Sequence, residues 1–253
     1  MKETDSYNTQ TNLIFGIRPL KEAIDSGREI DRIFIQKGLS GDTFGELLAT
    51  LQENKLHYKQ VPVEKLNRLT RKNHQGVVAF MSPITFHSLE SVVEDALEST
   101  EAPLFMLLDR VTDVRNFGAI VRTAECAGVR GVIIPQSQTA PINGDAMKTS
   151  TGALSRIPII RVPHLLDAIY HLQGSGIQVL ACTEKTQDSL YTPDYTKPTA
   201  IVMGSEEDGI QPNLMKVCDA RTKIPLMGEI GSLNVSVASG VVLYEVVRQR
   251  TQS

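Results

Sequence analysis

Cysteine is scarce in this chain, long apolar runs are missing, and histidine is scattered; each absence closes off a class of protein. Cys126, Cys182 and Cys218 are odd in number, far apart and without a CxxC pair. They argue against a disulfide framework or a zinc site and predict a reducing, cytoplasmic setting. No stretch approaches the length of a membrane-spanning helix, so no membrane partner is expected. The polar start MKETDSYNTQTN has no apolar signal core and reads as a frayed tail, residues 1–12. His57, His74, His87, His164 and His171 show no metal-ligand spacing, and no metal is expected. A Gly-x-Gly-x-x-Gly turn after a strand, a Walker-type phosphate loop and a Gly-x-Ser-x-Gly elbow are all absent. Dinucleotide, nucleoside triphosphate and acyl-transfer chemistry lose their signatures accordingly.

What is present is an ordinary globular composition, 253 residues with 41% hydrophobic and 22% charged, enough for one large domain or two modest ones. The net charge of −3 hides an asymmetry. Residues 1–86 carry twelve Lys and Arg against ten Asp and Glu, and residues 103–253 carry fourteen of each. Residues 87–102 hold five acids and no base, so the acidity sits in one short segment. Between positions 55 and 72, Lys55, Lys59, Lys65, Arg68, Arg71 and Lys72 face only Glu64. Such a stretch is either a solvated face or a phosphate site.

The period of the apolar residues predicts α/β organisation throughout. Residues 13–82 alternate short strands and helices in a small α/β unit. Residues 83–102 read as an acidic linker with a helix from Ser88 to Ser99. From 103 to 253 apolar strands alternate with helices, which suggests a parallel sheet covered on both faces. The last helix is expected from Ser239 to Gln249, with Val242 and Val246 on its apolar face.

Three segments carry chemistry. Leu107 to Gly128, LLDRVTDVRNFGAIVRTAECAG, is a strand ending in Asp109, a polar loop, and a helix for which Asn116 is a natural cap. Gly118 and Ala119 leave its first turn without bulk, so another backbone or a ligand can come close. Arg122 follows, readable as a surface arginine or a functional one. Ala200 to Gly209, AIVMGSEEDG, runs from a strand into Gly204, Ser205 and three successive carboxylates, an exposed turn or an acceptor presented at a sheet edge. Ser232 to Ala238, SLNVSVA, interleaves Ser232, Asn234 and Ser236 with apolar residues, more polar groups than a helix cap needs. Alternation would place the three on one side of an entering segment.

Together and in this order these segments resemble the three motifs of the SpoU-type (TrmH-like) RNA ribose 2′-O-methyltransferases of the SPOUT class. The likeness covers nearly the whole chain, because Phe15 to Ile24 (FGIRPLKEAI) and His74 to Ala79 (HQGVVA) look like the family's accessory RNA-binding domain. Within the family it points to the bacterial enzymes that methylate a guanosine of 23S rRNA. The resemblance implies a small ribosomal-protein-like α/β domain followed by a trefoil-knotted parallel-sheet methyltransferase domain. It also implies S-adenosylmethionine as cofactor, no metal, and a homodimer built through the carboxyl-terminal domain. By its motifs Arg122, Asn116, Glu206, Ser232 and Asn234 are the catalytic set. Gly204, Ile224, Leu226, Ser232, Leu233 and Asn234, with Thr183, hold the cofactor. The basic residues Lys55, Lys65, Arg68, Arg71 and Lys72, the turn at His74 and Gln75, and Arg115 are the candidate RNA contacts; no DNA partner is implied. One departure stands out: Val114 and Arg115 precede Asn116 where family members usually carry Asp-Pro, which loosens the loop and adds a charge. A tRNA ribose is the alternative substrate. A non-catalytic rRNA-binding protein is the alternative of a different class, and cofactor binding separates the two.

Overall fold

The structure, a computed structural model, describes residues 12–99 and 101–252. The chain divides into two compact units, one comprising residues up to Thr85 with Pro141–Gly144, the other Phe86–Ala140 with Asp145 onward. The expected tail, residues 1–12, lies outside the described residues except for Asn12.

The first unit runs β1 (Leu13–Phe15), α1 (Ile17–Asp25), β2 (Ile30–Gln36), α2 (Asp42–Glu53), β3 (Lys59–Val61), α3 (Val63–Leu69) and β4 (Val77–Met81). Its four strands lie in the order β1-β4-β2-β3, with β4 antiparallel to both neighbours and β3 parallel to β2. Leu20 and Ile24 of α1 and Leu47 and Leu51 of α2 are buried on one face against Ile33, Ile35, Val77 and Ala79. Leu66 of α3 packs with Val61 and Val78 on the other, smaller face.

The second unit runs β5 (Phe86–His87), α4 (Leu89–Leu97), β6 (Leu104–Leu108), α5 (Val114–Cys126), β7 (Gly131–Pro135), α6 (Gly144–Thr149), β8 (Ile159–Val162), α7 (Leu165–Gly174), β9 (Gln178–Cys182), β10 (Thr199–Met203), α8 (Pro212–Val217), β11 (Ala220–Thr222) and α9 (Val235–Thr251). Its sheet has seven strands in the order β11-β9-β10-β6-β7-β8-β5, and every pairing is parallel. Phe105, Leu107, Ile133, Val179 and Val202 point into one core with α4, α7 and α8. The alternate residues Met106, Leu108, Ile134, Leu180 and Ile201 are buried as well, so both faces are covered, as a near-continuous apolar strand requires. The fold is the expected α/β class, a small mixed-sheet unit and an α/β-knot unit. Parallel pairing brings the carboxyl ends of β6, β9, β10 and β11 to one edge. There β6 and β10 are neighbours whose onward connections run to opposite sides, the usual place for a site in an open α/β sheet.

Three expectations are corrected. Residues 83–102 are not a linker: β5 joins the sheet edge, Ser88 caps α4 by accepting from the Ser91 N–H at 3.2 Å, and Leu89, Val92, Val93 and Ala96 enter the core. The acids there are the solvent face of an amphipathic helix. Helix α9 begins at Val235, before the expected Ser239, so the polar alternation stops at its cap, Asn234. Helix α5 begins at Val114 because Asp113, and not Asn116, is its cap, its carboxylate accepting the Asn116 N–H at 2.8 Å.

That cap explains how the chain tolerates Val114. The residue sits at the first helical position, where proline is favoured because the N–H has no intrahelical partner. Asp113 before it is already extended, φ −76° and ψ 126°, as a residue preceding proline must be. Val114→Pro is therefore expected to stabilise the protein by about 0.4–1 kcal/mol through the unfolded state. A urea titration checks it: the midpoint should rise at constant m, and a fall would mean that Val114 contributes packing that proline cannot replace.

Candidate active site at the carboxyl edge of the sheet

Two of the three motifs meet through side chains at this edge, and the third is carried on the helix that starts there. Asn234 sits at the start of α9, and its Oδ1 accepts from the Ser236 and Val237 N–H groups at 3.0 and 3.4 Å and from the Ser236 hydroxyl at 2.6 Å. With its oxygen spent on the helix end, its amide nitrogen is left to donate. It donates to Asn116 Oδ1 at 3.0 Å and to Glu206 Oε1. The same Glu206 oxygen accepts the Val235 N–H at 3.2 Å, a carboxylate placed at a helix N-terminus where the dipole favours it. Asn116, Glu206 and Asn234 are thus one hydrogen-bonded group.

Glu206 stands on a tight turn after β10. Gly209 N–H donates to Ser205 O at 3.0 Å and Asp208 N–H to Ser205 Oγ at 3.2 Å. Gly204 makes the turn possible, since a Cβ there would lie 2.1 Å from the Gly209 carbonyl carbon. Gly118 answers a different need. A Cβ on it would meet Thr149 Cβ at 2.7 Å and the Ser150 nitrogen at 3.1 Å, so the missing bulk admits another backbone segment.

A cavity of about 640 Å³ opens beside this group. Gly204, Glu206, Ile224, Leu226, Ser232 and Leu233 line it, and so does Thr183 from the end of β9. Ser232 and Leu233 are exposed on the segment leading to α9. Cys182 also faces the cavity; burial, with the Glu184 carboxylate nearby, pushes its thiol up to about 12, so it lines the wall uncharged. Sequence reasoning missed Glu184, Lys185 and Lys223, further cavity residues from separate loops for which no motif gave a signal.

Arg122 is not part of the hydrogen-bonded group. It is exposed on α5 and makes no hydrogen bond or ion pair with Glu206 or Asn234. Arg115 is exposed seven residues earlier, hence on the same helix face and about 10 Å away along the axis.

In the first unit the basic candidates divide. Lys65 Nζ lies 4.9 Å from the centre of the Phe34 ring and Lys72 Nζ 5.3 Å from that of Phe15, with Arg68 and Arg71 exposed nearby in sequence. Lys55 closes α2, the helix on the opposite face of the sheet. His74 is a correction. It is only 9% exposed, its Nδ1 accepts the Gly76 N–H at 3.0 Å, and its Nε2 pairs with Asn67 Oδ1 at 2.9 Å. An accepting Nδ1 puts the ring proton on Nε2, so both nitrogens are used within the turn and neither is left for RNA. The turn instead holds Gln75 exposed at φ +48°. Among the described residues no group of three His, Cys, Asp or Glu side chains could hold a metal, and no helix is long and apolar enough to cross a membrane.

Residues 103–244 match the SpoU rRNA Methylase family, and residues 13–87 match the RNA 2′-O ribose methyltransferase substrate binding family. A 23S rRNA (guanosine-2′-O-)-methyltransferase from Vibrio vulnificus is 36% identical over 242 residues, 95% of this chain and 98% of its own length. An uncharacterized tRNA/rRNA methyltransferase from Synechocystis is 35% identical over 98% of this chain, which spans 65% of that longer relative. Among solved structures, the SpoU methyltransferase AviRb from Streptomyces viridochromogenes in complex with the cofactor AdoMet superposes with a TM-score of 0.61 at 26% identity, covering 99% of this chain and 95% of that one.

Proposed function

The chain belongs to the SpoU rRNA methylase family, and from that premise we propose that its target is the ribose 2′-hydroxyl of a guanosine in 23S rRNA. Membership makes it an S-adenosylmethionine-dependent methyltransferase of the rRNA- and tRNA-modifying kind. The cavity fits that cofactor. Ile224, Leu226 and Leu233 offer apolar contact to a flat adenine, and backbone groups of the same segments can meet its polar edges. Bound there, S-adenosylmethionine supplies a methyl group on a sulfonium, and the leaving group is a neutral thioether that needs no metal.

The protein's own part is to orient the ribose and to accommodate charge. Asn116 presents its amide at the rim and orients the sugar. Glu206 and Asn234 hold the rim and the start of α9, while Ser232 and Thr183 contribute polar groups to the cavity wall. A guanidinium is a poor base. Arg122 therefore grips a substrate phosphate and stabilises the charge growing on the attacking 2′ oxygen, and that phosphate or water takes the proton. Arg115, aligned with it, meets a neighbouring phosphate. The observation that carries this reading is the convergence of Asn116, Glu206 and Asn234 beside the cavity, from positions up to 118 residues apart.

The choice of 23S rRNA rests on the Vibrio relative's stated substrate and on the substrate-binding unit in front. In that unit Lys65, Arg68, Arg71, Lys72 and Gln75 contact RNA. Phosphate contacts position a substrate without reading its sequence, so the base is selected by RNA shape and stacking. Reversing Arg68, Arg71 and Lys72 to glutamate should weaken RNA binding and reduce the salt slope by about two to three units. Ribose-methylation mapping of total RNA with and without the gene tests the target. Loss of one 23S mark is expected; a lost tRNA mark with rRNA unchanged would assign the alternative substrate and leave the chemistry standing.

The protein works as a cytoplasmic homodimer in this reading. Val242 and Val246 are fully buried within the chain. Val237 and Tyr244, one heptad apart on α9, are 53% and 54% exposed and give that helix a second apolar stripe. Sedimentation should give a dimer at micromolar concentration and a monomer for Tyr244→Glu; a monomeric wild type would sink the assembly.

A further inference from the structure

The loops after β6 and β10 are fastened to each other at a second place, away from the Asn116–Asn234–Glu206 group. Arg110 Nη1 donates to Asp208 Oδ2 at 2.9 Å and its Nη2 donates to the Gly209 carbonyl at 3.0 Å. Asp109, fully buried, lies 3.5 Å from Arg110 Nε and accepts from the Gln211 N–H and side-chain amide, each at 2.7 Å. From the other side Lys185 Nζ donates to the Asp208 carbonyl at 3.1 Å. Arg110 does this from a left-handed backbone, φ +57°, a conformation costly for a residue with a Cβ. The segment from Arg110 to Asn116 and the turn from Glu206 to Gly209 therefore form a ring closed by side-chain bonds at both ends.

We propose that Arg110 is a positioning residue for methyl transfer: its guanidinium fixes the 205–209 turn so that Glu206 meets Asn234 and the first N–H of α9. The inference rests on the methyltransferase reading above. The fork suits the task, since one planar group reaches a carboxylate and a carbonyl on adjacent residues, which a lysine ammonium cannot do with the same geometry. A strained backbone kept at a clasp between two site loops is how such positions are commonly recognised. Remove the clasp, and the turn keeps only its internal bonds and Lys185.

Arg110→Gly is the informative variant, because it relieves the backbone while deleting the side chain. The melting temperature should stay within about 3 °C of wild type, since surface changes of this kind move stability little. Hydrogen exchange at the Val235 amide, which Glu206 accepts, should speed up about tenfold without cofactor or RNA. With both present, kcat/KM should fall by about 30-fold or more, as expected for a misplacement near 1 Å. Glu206→Gln should then cost less than about twofold in the Arg110→Gly background, far below its cost alone, because coupled residues are non-additive. Asp208→Asn, which keeps the fold and weakens the clasp, should lie between. Wild-type exchange at Val235 in Arg110→Gly, or an undiminished Glu206→Gln penalty, overturns the role. A wild-type protein that binds no S-adenosylmethionine and transfers no methyl group removes the premise with it.

Discussion

Arg122→Lys is expected to lower kcat by about 10²–10³-fold, the range seen when one preorganised donor to a developing oxyanion is lost, while cofactor affinity and melting temperature hardly change. The structure separates these effects. Arg122 is exposed and holds neither Glu206 nor Asn234, so its replacement breaks no internal network. It is absent from the cavity wall, so the cofactor should not sense it. What lysine loses is the planar fork that can hold a phosphate by two parallel bonds while facing the 2′ oxygen; the charge remains. If positive charge alone were needed, Lys would restore near-normal turnover, and that result would refute the geometric role. Single-turnover measurement with saturating RNA and cofactor is the test, since it isolates the chemical step from product release. Arg115→Ala, on the same helix face, should by contrast raise KM for RNA more than it lowers kcat, as for a group that binds ground and transition states alike.

The parts of the fold that local pattern could reveal are those with long, regular apolar periods. Leu104–Leu108 and Gly131–Pro135 are strands, and Val63–Leu69 a helix, on the residues where pattern and punctuation place them. Helix starts were displaced because the sequence offers several capping candidates. Asp113 and Asn116 can each cap α5, and only the structure shows that Asp113 does so and leaves the Asn116 side chain for Asn234. The acidic run 87–102 misled because charge was weighed above period; Leu89, Val92, Val93 and Ala96 carry a helix face beneath the acids. Strands of two or three residues, β1, β5 and β11, have no period to detect and exist through partners distant in sequence. The site follows the same division. Its motifs are legible as motifs, but the bonds from Asn234 to Asn116 and Glu206, and from Arg110 to Asp208, span 28 to 118 residues. No local signal marks Arg110, an ordinary arginine whose left-handed backbone becomes visible only in the fold.

The loss of a single hydrogen atom's worth of space should be as damaging as the loss of Arg122, by a different route. Gly204→Ala would place a Cβ 2.1 Å from the Gly209 carbonyl carbon, 2.3 Å from the Ile210 nitrogen and 2.4 Å from the Gly209 oxygen. These are backbone atoms, so no rotamer change relieves the contact and the turn itself must open. Gly209 is held by Arg110 and by its bond to Ser205, and Ile210 is buried in the sheet core. The strain therefore passes into the segment that forms one wall of the cavity and carries Glu206. Overpacking of this kind costs about 1–3 kcal/mol of stability, which a chain with a core of this size should survive. Displacing the cavity wall by about 1 Å should cost about 10²-fold in affinity for S-adenosylmethionine and for its demethylated product. Calorimetry on the folded variant reads this directly: one cofactor per chain for wild type, and heat too weak to fit for Gly204→Ala. RNA affinity, carried largely by the first unit, should change by less than about threefold, since sites that share no partners behave independently. Wild-type cofactor affinity in a folded Gly204→Ala protein would mean that the cavity beside Glu206 is not where the methyl donor binds.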